Sequence, residues 1–183
     1  MQIKIPKERI GVVIGRNGAI KERIETETKT RLQIDSASGE VVVENQENTD
    51  DPTGVWVATN IIKAIGRGFN PWKALRLLDD EIYLEMIDLT GFVGTSKKTL
   101  QRIRGRLIGK DGKTRTIIEQ STDTYISIYG KTISIIGFLN EIKVAREAIY
   151  MLLEGTSHGT VYRYLQEQKR QLKLAQLDQW KPI

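Results

Sequence analysis

Ile14-Gly15-Arg16-Asn17-Gly18 and Ile108-Gly109-Lys110-Asp111-Gly112 carry the same short pattern, Ile-Gly-x-x-Gly, 94 residues apart. When the chain is aligned with itself at that offset, residues 10–34 match residues 104–128 without a gap, and nine of the 25 positions are identical. Self-similarity at a fixed offset is the sequence signature of a repeated supersecondary unit. The sequence therefore predicts two modules of one fold.

The identical positions extend well beyond the two turns. They are Gly11/Gly105, Ile14/Ile108, Gly15/Gly109, Gly18/Gly112, Ile24/Ile118, Glu25/Glu119, Thr28/Thr122, Thr30/Thr124 and Ile34/Ile128. Two further pairs, Arg16/Lys110 and Lys21/Arg115, keep the positive charge. Both modules are therefore expected to use their turns in the same way.

Hydrophobic periodicity predicts the same order of elements in both modules. A short apolar strand precedes a helix, the Gly-x-x-Gly turn and a second helix. Two strands follow, at 31–34 and 41–43 in one copy and at 125–128 and 132–135 in the other. Each copy closes with a helix that carries an apolar stripe. The order β-α-α-β-β-α predicts an α+β fold, in which each module has a three-stranded antiparallel sheet with three helices on one face.

Breaks in the pattern predict the domain boundaries. Gly66, Gly68 and Pro71 interrupt the helical pattern between the copies. The predicted division is a first domain at 1–66, a linker with a short helix at 67–79, a second domain at 80–154 and a C-terminal helical tail at 155–183. The tail is partly amphipathic, and the sequence leaves open whether it docks on a domain or stays free.

Positive charge is unevenly distributed along the 183 residues. The net charge is +5, but residues 1–90 contain 12 Lys+Arg and 15 Asp+Glu, whereas residues 91–183 contain 16 and 8. Concentrated positive charge is typical of nucleic-acid binding, although a solvated basic face is the alternative. The densest stretch, residues 97–115, contains one acid, Asp111, and eight cations: Lys97, Lys98, Arg102, Arg104, Arg106, Lys110, Lys113 and Arg115.

Composition and motif checks exclude several classes of function. The chain has no cysteine, which rules out disulfides and thiolate chemistry and suits a reducing cytosol. No apolar run has the length of a signal peptide or a membrane span, so we expect a cytoplasmic protein. Gly112-Lys113-Thr114 lacks the upstream glycine of a phosphate-binding loop, since Leu107 stands there. The single histidine, His158, is expected at the surface. Trp56 and Trp72 are expected to pack as structural residues, with stacking on bases as the alternative. We predict no enzyme activity, no cofactor and no metal.

A Gly-x-x-Gly turn between two helices suits phosphate binding. Glycine has no side chain to hold a phosphodiester at a distance, and it permits unusual backbone angles. The following helix presents free N–H groups and the positive end of its dipole to phosphate oxygens. Arg16 in the first turn and Lys110 in the second add charge. A tight helix connection without a ligand is the alternative for either turn alone.

Both segments resemble the signature of the KH family of RNA-binding domains, Ile-Gly-x-x-Gly-x-x-Ile. Because only five residues precede the first motif helix, the resemblance implies the eukaryotic-type, or type I, topology. It also implies that each module holds about four nucleotides of single-stranded RNA in a groove beside the turn. Thr114 departs from the pattern where Ile20 fits it, and Asp111 places an anion beside the phosphate path.

The expected RNA contacts are the two turns, neighbouring cations and apolar groove residues. They are Val13, Ile14, Gly15, Arg16, Asn17, Gly18, Lys21 and Ile34 in the first module, and Arg104, Arg106, Ile108, Gly109, Lys110, Asp111, Gly112, Lys113 and Arg115 in the second. The groove floor is expected to include Ile20 and Leu32 as well in the first module, and Leu107, Ile118, Ile126 and Ile128 in the second.

The second motif and the linker segment Asn70-Pro71-Trp72-Lys73-Ala74 resemble the family of small-subunit assembly proteins called partner of Nob one. An intact first Gly-x-x-Gly is similar to archaeal members. The resemblance implies binding near the 3′ end of small-subunit rRNA and cooperation with a PIN-domain endonuclease and other assembly factors. The alternatives are an exosome-associated RNA-decay factor, an mRNA-binding KH protein, and a protein-interaction scaffold with degenerate KH folds.

Overall fold

A computed structural model describes residues 1–47 and 52–179 of the chain. The first module consists of β1 (Gln2–Lys4), α1 (Lys7–Ile14), α2 (Ala19–Thr28), β2 (Thr30–Asp35), β3 (Glu40–Asn45) and α3 (Pro52–Gly66). A short helix, α4 (Pro71–Ala74), and a 3₁₀ turn, Leu75–Leu78, follow. The second module consists of β4 (Ile82–Asp88), α5 (Thr90–Val93), α6 (Lys97–Ile108), α7 (Lys113–Thr122), β5 (Tyr125–Tyr129), β6 (Thr132–Phe138) and α8 (Leu139–Leu153). The last helix is α9 (His158–Gln179).

Two three-stranded antiparallel sheets confirm the predicted α+β class. Their strand orders are β1-β3-β2 and β4-β6-β5, so the third strand of each module lies in the centre. The sequence pattern did not predict α5. At the start of this helix the Asp88 carboxylate accepts hydrogen bonds from both the backbone N–H and the hydroxyl of Thr90, each at 2.8 Å. The same bonds lower the pKa of Asp88.

Three of the repeated side chains hold the second helix of each motif to the next strand. The hydroxyl of Thr28 donates to the carbonyl of Ile24 and lies 2.8 Å from the hydroxyl of Thr30. Thr122 and Thr124 form the same pair at 2.9 Å. In addition, the Glu25 carboxylate accepts the backbone N–H of Leu32 at 2.7 Å. Glu119 does the same for Ile126 at 2.7 Å. These identities are therefore structural, since they satisfy groups at the helix-to-strand junction.

An arginine from the first motif helix caps the closing helix of each module. Arg9 donates from Nε to the carbonyl of Ile65 at 2.8 Å and from Nη2 to that of Phe69 at 2.8 Å. Arg106 donates in the same way to the carbonyls of Leu152, at 2.9 Å from Nε, and Thr156. The accepting carbonyls correspond between the modules, but the arginines do not, because they lie one helical turn apart in the aligned helices. Both arginines add charged donors to carbonyls at and just beyond the C-terminal end of a helix, where helical partners are missing.

The second sheet is covered on both of its faces. Its helices cover one face, whereas Ile82 and Ile136 on the other face belong to the hydrophobic core of the first module. The hydroxyl of Ser127 on β5 donates to the carbonyl of Arg67 at 2.7 Å. Gly68 adopts a φ of +96°, and a Cβ atom there would lie 2.7 Å from the Ser127 hydroxyl. The linker therefore packs directly on β5.

The C-terminal helix α9 docks on the second module. Val161 and Leu165 are fully buried in its core, and the amine of Lys169 donates to the carbonyl of Gln120 on α7 at 3.1 Å. His158, expected at the surface, is instead half-buried, and its Nε2 lies 3.0 Å from the carbonyl oxygen of Arg106. Among the described residues, no helix combines the length and apolarity needed to cross a membrane.

The prediction that Trp56 and Trp72 pack as structural residues is wrong, because neither side chain is buried. Both side chains are exposed, Trp56 at 52% and Trp72 at 64%. They lie on the outer sides of α3 and α4, where the helical spacing puts them outside the apolar stripe. Trp72 stacks instead on a cation, since the guanidinium carbon of Arg23 lies 5.1 Å from the ring centroid.

Candidate nucleic-acid interface

Each Gly-x-x-Gly turn begins with a glycine that has no room for a side chain. Gly15 has a φ of +73°, and a Cβ atom there would lie 2.4 Å from Cγ1 of Ile20. Gly109 has a φ of +74°, and a Cβ atom there would lie 2.3 Å from the hydroxyl of Thr114. Both distances are far below contact, and both φ values disfavour other residues. The first glycine therefore lets the turn pack on the helix that follows.

The second half of each turn also requires a left-handed backbone. Asn17 has a φ of 53° and Gly18 of 80°, while Asp111 has a φ of 52° and Gly112 of 77°. Asn and Asp are the side chains that tolerate this region best after glycine. The acid in the second turn is thus explained by backbone conformation. Asp111 is an acceptable residue for the turn, although its charge opposes phosphate binding.

The tips of both turns are open to solvent. Arg16, Asn17, Lys110, Asp111 and Lys113 are all exposed. Within the described part of the chain, no side chain caps the first turn of α2 or α7. The N-termini of these two helices are therefore available to an anion, with one cationic tip residue beside each.

A groove of about 610 Å³ lies beside the second turn, between α6 and the turn that joins β5 to β6. It is lined by Lys97, Leu100, Gln101, Arg104, Gly105, Ile108, Gly130 and Lys131. Three of these residues are cationic and two are apolar, so the groove has a charged rim and a hydrophobic floor. A base can pack on such a floor while its phosphates meet the rim.

Gly105 and Arg104 shape this groove. A Cβ atom on Gly105 would meet no atom within 4 Å, so the space beside α6 belongs to the groove and not to the core. The Nε of Arg104 is buried and has no hydrogen-bond partner among the described residues. Arg104 therefore lines the groove wall with its positive charge, while its Nε is closed to solvent.

The corresponding surface of the first module is less basic. Aligned at the repeat offset, Arg104 corresponds to Ile10, and Lys131 corresponds to Glu40 when Gly130 of the turn is matched with Gly39. Gly11, like Gly105, would leave a Cβ atom free of neighbours within 4 Å. Both modules thus keep the bare helix face, but the positive charge is concentrated on the second.

Most of the predicted contact residues lie around the two turns. Ile14, Ile34 and Ile108 are half-buried, as are Ile20 and Ile128 of the expected floor. Lys21 and Arg115 are partly exposed and lie 3.9 Å from the carboxylates of Glu25 and Glu119 in ion pairs. The glycines Gly15, Gly18, Gly109 and Gly112 shape the backbone, as expected.

Two of the predicted contacts are wrong. Val13 is fully buried, because its position in α1 points into the core. Arg106 directs its guanidinium away from the groove, toward the carbonyls of Leu152 and Thr156. Burial also removes Leu32, Leu107, Ile118 and Ile126 from the expected groove floor.

Six of the groove residues were not among the predicted contacts; they are Lys97, Leu100, Gln101, Gly105, Gly130 and Lys131. Gly105 could have been found, because glycine inside a helix is unfavourable and the repeat places one at the same point in both modules. Lys131 could not have been found, since it lies beside α6 only because of the position of the β5–β6 turn in the folded chain. Among residues 1–47 and 52–179, no group of His, Asp and Glu has the arrangement of a metal site.

Two family models match the chain. Residues 83–170 match a model described as a eukaryotic-type KH domain, or KH domain type I, and residues 1–50 match the general KH-domain model. A KH domain-containing protein of Methanocaldococcus jannaschii is 43% identical over 179 residues, which are 98% of this chain and 78% of that protein. The RNA-binding protein pno1 of Dictyostelium discoideum is 30% identical over 165 residues, which are 90% of this chain and 69% of that protein.

A solved structure has the same fold over nearly the whole chain. It is the crystal structure of an a/eIF2alpha-aDim2p-rRNA complex from Pyrococcus horikoshii OT3, with a TM-score of 0.87 and 47% identity. The match covers 93% of this chain and 94% of the matched chain. Several fungal relatives, named pre-rRNA-processing protein PNO1, are longer, and this chain spans 49% to 63% of their length.

Proposed function

This chain belongs to the Pno1/Dim2 family of KH-domain proteins, and we propose that it binds single-stranded RNA, namely rRNA or its precursor near the 3′ end of the small-subunit RNA, during ribosome assembly. The observation that carries the proposal is the pair of Gly-x-x-Gly turns with exposed cationic tips, one of them beside a groove with a basic rim and an apolar floor. A KH turn of this kind clamps about four nucleotides by their backbone.

We propose a role for each part of the interface. The backbone N–H groups at the start of α2 and α7 and the side chains of Arg16 and Lys110 hold phosphates. The bare helix faces at Gly11 and Gly105 let the strand approach. Arg104, on the wall of the second groove, adds positive charge beside the RNA path. The second module, with more positive charge, contributes the larger electrostatic share.

The relatives favour rRNA over the other classes of RNA partner. The similar chain of known structure comes from a complex with rRNA, and fungal relatives are named for pre-rRNA processing. An RNA-decay factor, an mRNA-binding protein and a scaffold without RNA are not favoured. We further propose that the protein acts without catalysis, that it works in the cytoplasm, that a PIN-domain endonuclease and other assembly factors are its protein partners, and that its functional units divide at residues 67–79.

The test converts each turn to Gly-Asp-Asp-Gly in the full-length chain. Lys110→Asp does so in the second turn, and Arg16→Asp with Asn17→Asp in the first. Asp111 already adopts the left-handed conformation, so Asp at position 17 should fit. Titration of a labelled single-stranded RNA with the 3′-terminal sequence of small-subunit rRNA should show affinity reduced at least tenfold by Lys110→Asp, with unchanged circular dichroism. Unchanged affinity in both variants would reject the proposal.

A further inference from the structure

The helices on both sides of the second Gly-x-x-Gly turn contact α9, and the described part of the first module has no such pair of polar contacts. We propose that α9 positions the second turn for RNA, with His158 and Tyr162 as positioning residues. The inference deepens the proposed function of the same site and rests on it. Neither residue touches the groove; both act through the helices that enter and leave the turn.

Tyr162 holds the helix that leaves the turn. Its hydroxyl lies 3.0 Å from the hydroxyl of Thr114, the second residue of α7. Thr114 is only 2% exposed, so its hydroxyl has no access to bulk water. It is also the group that a Cβ atom on Gly109 would strike first. Gly109, Thr114 and Tyr162 therefore form a continuous series of contacts from the turn to α9.

His158 holds the helix that enters the turn. Its Nε2 lies 3.0 Å from the carbonyl oxygen of Arg106, in the last turn of α6, where carbonyls lack helical partners. The two rings are one helical turn apart on α9 and meet edge to face, with centroids 6.2 Å apart. The Arg106 side chain returns to the carbonyl of Thr156, just before α9 begins. The contact thus spans both ends of the turn.

Packing fixes α9 strongly enough for this task. Val161 and Leu165, which flank Tyr162 in the sequence or along the helix, are fully buried. Lys169 adds a bond to the carbonyl of Gln120 at the other end of α7. Helix α9 therefore contacts both the first and the last turn of α7. The contact at Thr114 restrains the Gly-x-x-Gly turn that precedes α7.

The first module solves the same problem without a polar contact. Ile20 stands where Thr114 stands in the second module, and its side chain packs on Gly15 and the core. Threonine at this position exposes a polar group to the core unless a partner satisfies it. The departure from the KH pattern at Thr114 is thus explained by the docked helix, which supplies the partner.

The test uses Tyr162→Phe in a full-length chain whose first turn is inactivated by Arg16→Asp and Asn17→Asp, so that only the second module binds. Loss of the hydroxyl leaves Thr114 unsatisfied. Amide hydrogen exchange of residues 109–113, measured without RNA, should accelerate severalfold. Affinity for the labelled single-stranded RNA should fall about three- to tenfold, as one buried hydrogen bond predicts. Tyr164→Phe, two residues along the same helix, is the matched control and should change neither quantity.

A double variant separates positioning from simple stabilisation. Thr114→Val with Tyr162→Phe removes both hydroxyls, leaves no unsatisfied group, and should restore slow exchange and most of the affinity. Thr114→Val alone provides the second arm if Tyr162→Phe does not fold. A lower melting temperature with unchanged exchange at 109–113 and unchanged affinity would overturn the inference. If Lys110→Asp in the same background leaves RNA affinity intact, the proposed function fails, whereas the exchange measurement still decides the positioning role.

Discussion

Gly105 and Gly109 lie four residues apart at the end of α6, and a side chain would meet different surroundings at each. At Gly109 a Cβ atom would lie 2.3 Å from the Thr114 hydroxyl, whereas at Gly105 it would meet no atom within 4 Å. Gly109 is needed for the turn to form. Gly105 is needed only if a ligand fills the space beside it, so a substitution there probes the ligand directly.

Gly105→Leu should therefore separate folding from binding. Because glycine inside a helix costs about 1 kcal/mol relative to good helix formers, the free energy of unfolding should stay equal or rise. The leucine side chain would enter the groove, so RNA affinity should fall at least tenfold. Urea unfolding and RNA titration measure the two quantities. Gly109→Ala is the contrasting control, with a stability loss of about 2 kcal/mol or more from its positive φ and its clash. Equal affinity for Gly105→Leu and wild type would contradict the groove assignment.

Exchanging Asp and Asn at positions 111 and 17 changes the charge of each turn without changing its backbone conformation. Both adopt the same left-handed conformation, with φ near 52° and 53°, so either residue fits either turn. Asp111→Asn removes an anion from the phosphate path and should raise RNA affinity about two- to fourfold at low salt. Asn17→Asp should lower it by a similar factor. Melting temperatures should not change in either variant. An affinity gain that persists at high salt would point to a cause other than charge.

At the scale of secondary structure, the repeat explains why the prediction from sequence worked. The order of elements follows from hydrophobic periodicity, which reports the buried face of each helix and strand. Glu25, Thr28 and Thr30 repeat because each completes a hydrogen bond at the helix-to-strand junction. Arg9 and Arg106 could not be paired from the alignment, since they reach equivalent carbonyls from positions one turn apart. Their role depends on side-chain length and direction, which residue spacing does not report.

Arg9→Met should destabilise the first module through the end of α3. The substitution keeps most of the apolar stem but removes two hydrogen bonds to the carbonyls of Ile65 and Phe69. Because each carbonyl is left without its charged donor, the free energy of unfolding should fall by about 2–4 kcal/mol in urea denaturation. Arg16→Met removes the same charge from the exposed turn tip and should stay within about 0.5 kcal/mol of wild type. Similar losses in both variants would rule out a specific capping role.

At the scale of the whole molecule, the two modules are joined through β5. Alternate residues of this strand face the linker and the first module, with Ser127 bonded to Arg67 and Tyr129 to Glu8. Ile126 and Ile128, on the other face of β5, belong to the core of the second module. The sequence predicted two units and a linker, but not this packing. Nothing in the periodicity of one strand specifies which surface will cover its second face.

Tyr129→Phe should release Glu8 from the junction in a way that pH titration detects. The Tyr129 hydroxyl donates to the Glu8 carboxylate at 2.6 Å and is the main cause of the lowered pKa of Glu8. A lowered pKa means that the contact contributes stability above the usual glutamate range and loses it as the pH falls through the lowered value. At high pH the contact ends when Tyr129 ionises, and hydrogen bonding to Glu8 raises the pKa of Tyr129.

In the variant, the pKa of Glu8 should rise toward the ordinary glutamate value, as followed by NMR of the side-chain carboxyl. Tyr125→Phe on the same strand is the control, because the Tyr125 ring meets the amine of Lys73, 4.5 Å from its centroid, and not Glu8. An unchanged Glu8 titration in Tyr129→Phe would show that the junction does not hold this bond in solution.

The salt dependence of RNA binding tests most directly whether the two Gly-x-x-Gly turns hold phosphates. If the turns and their basic rims neutralise phosphates, the logarithm of the association constant should fall linearly with the logarithm of salt concentration, with a slope of about −0.7 for each contact on a single strand. Lys110→Asp should make the slope shallower by about one contact or more. A slope near zero in the wild-type protein, or one that Lys110→Asp leaves unchanged, would contradict phosphate binding at these turns.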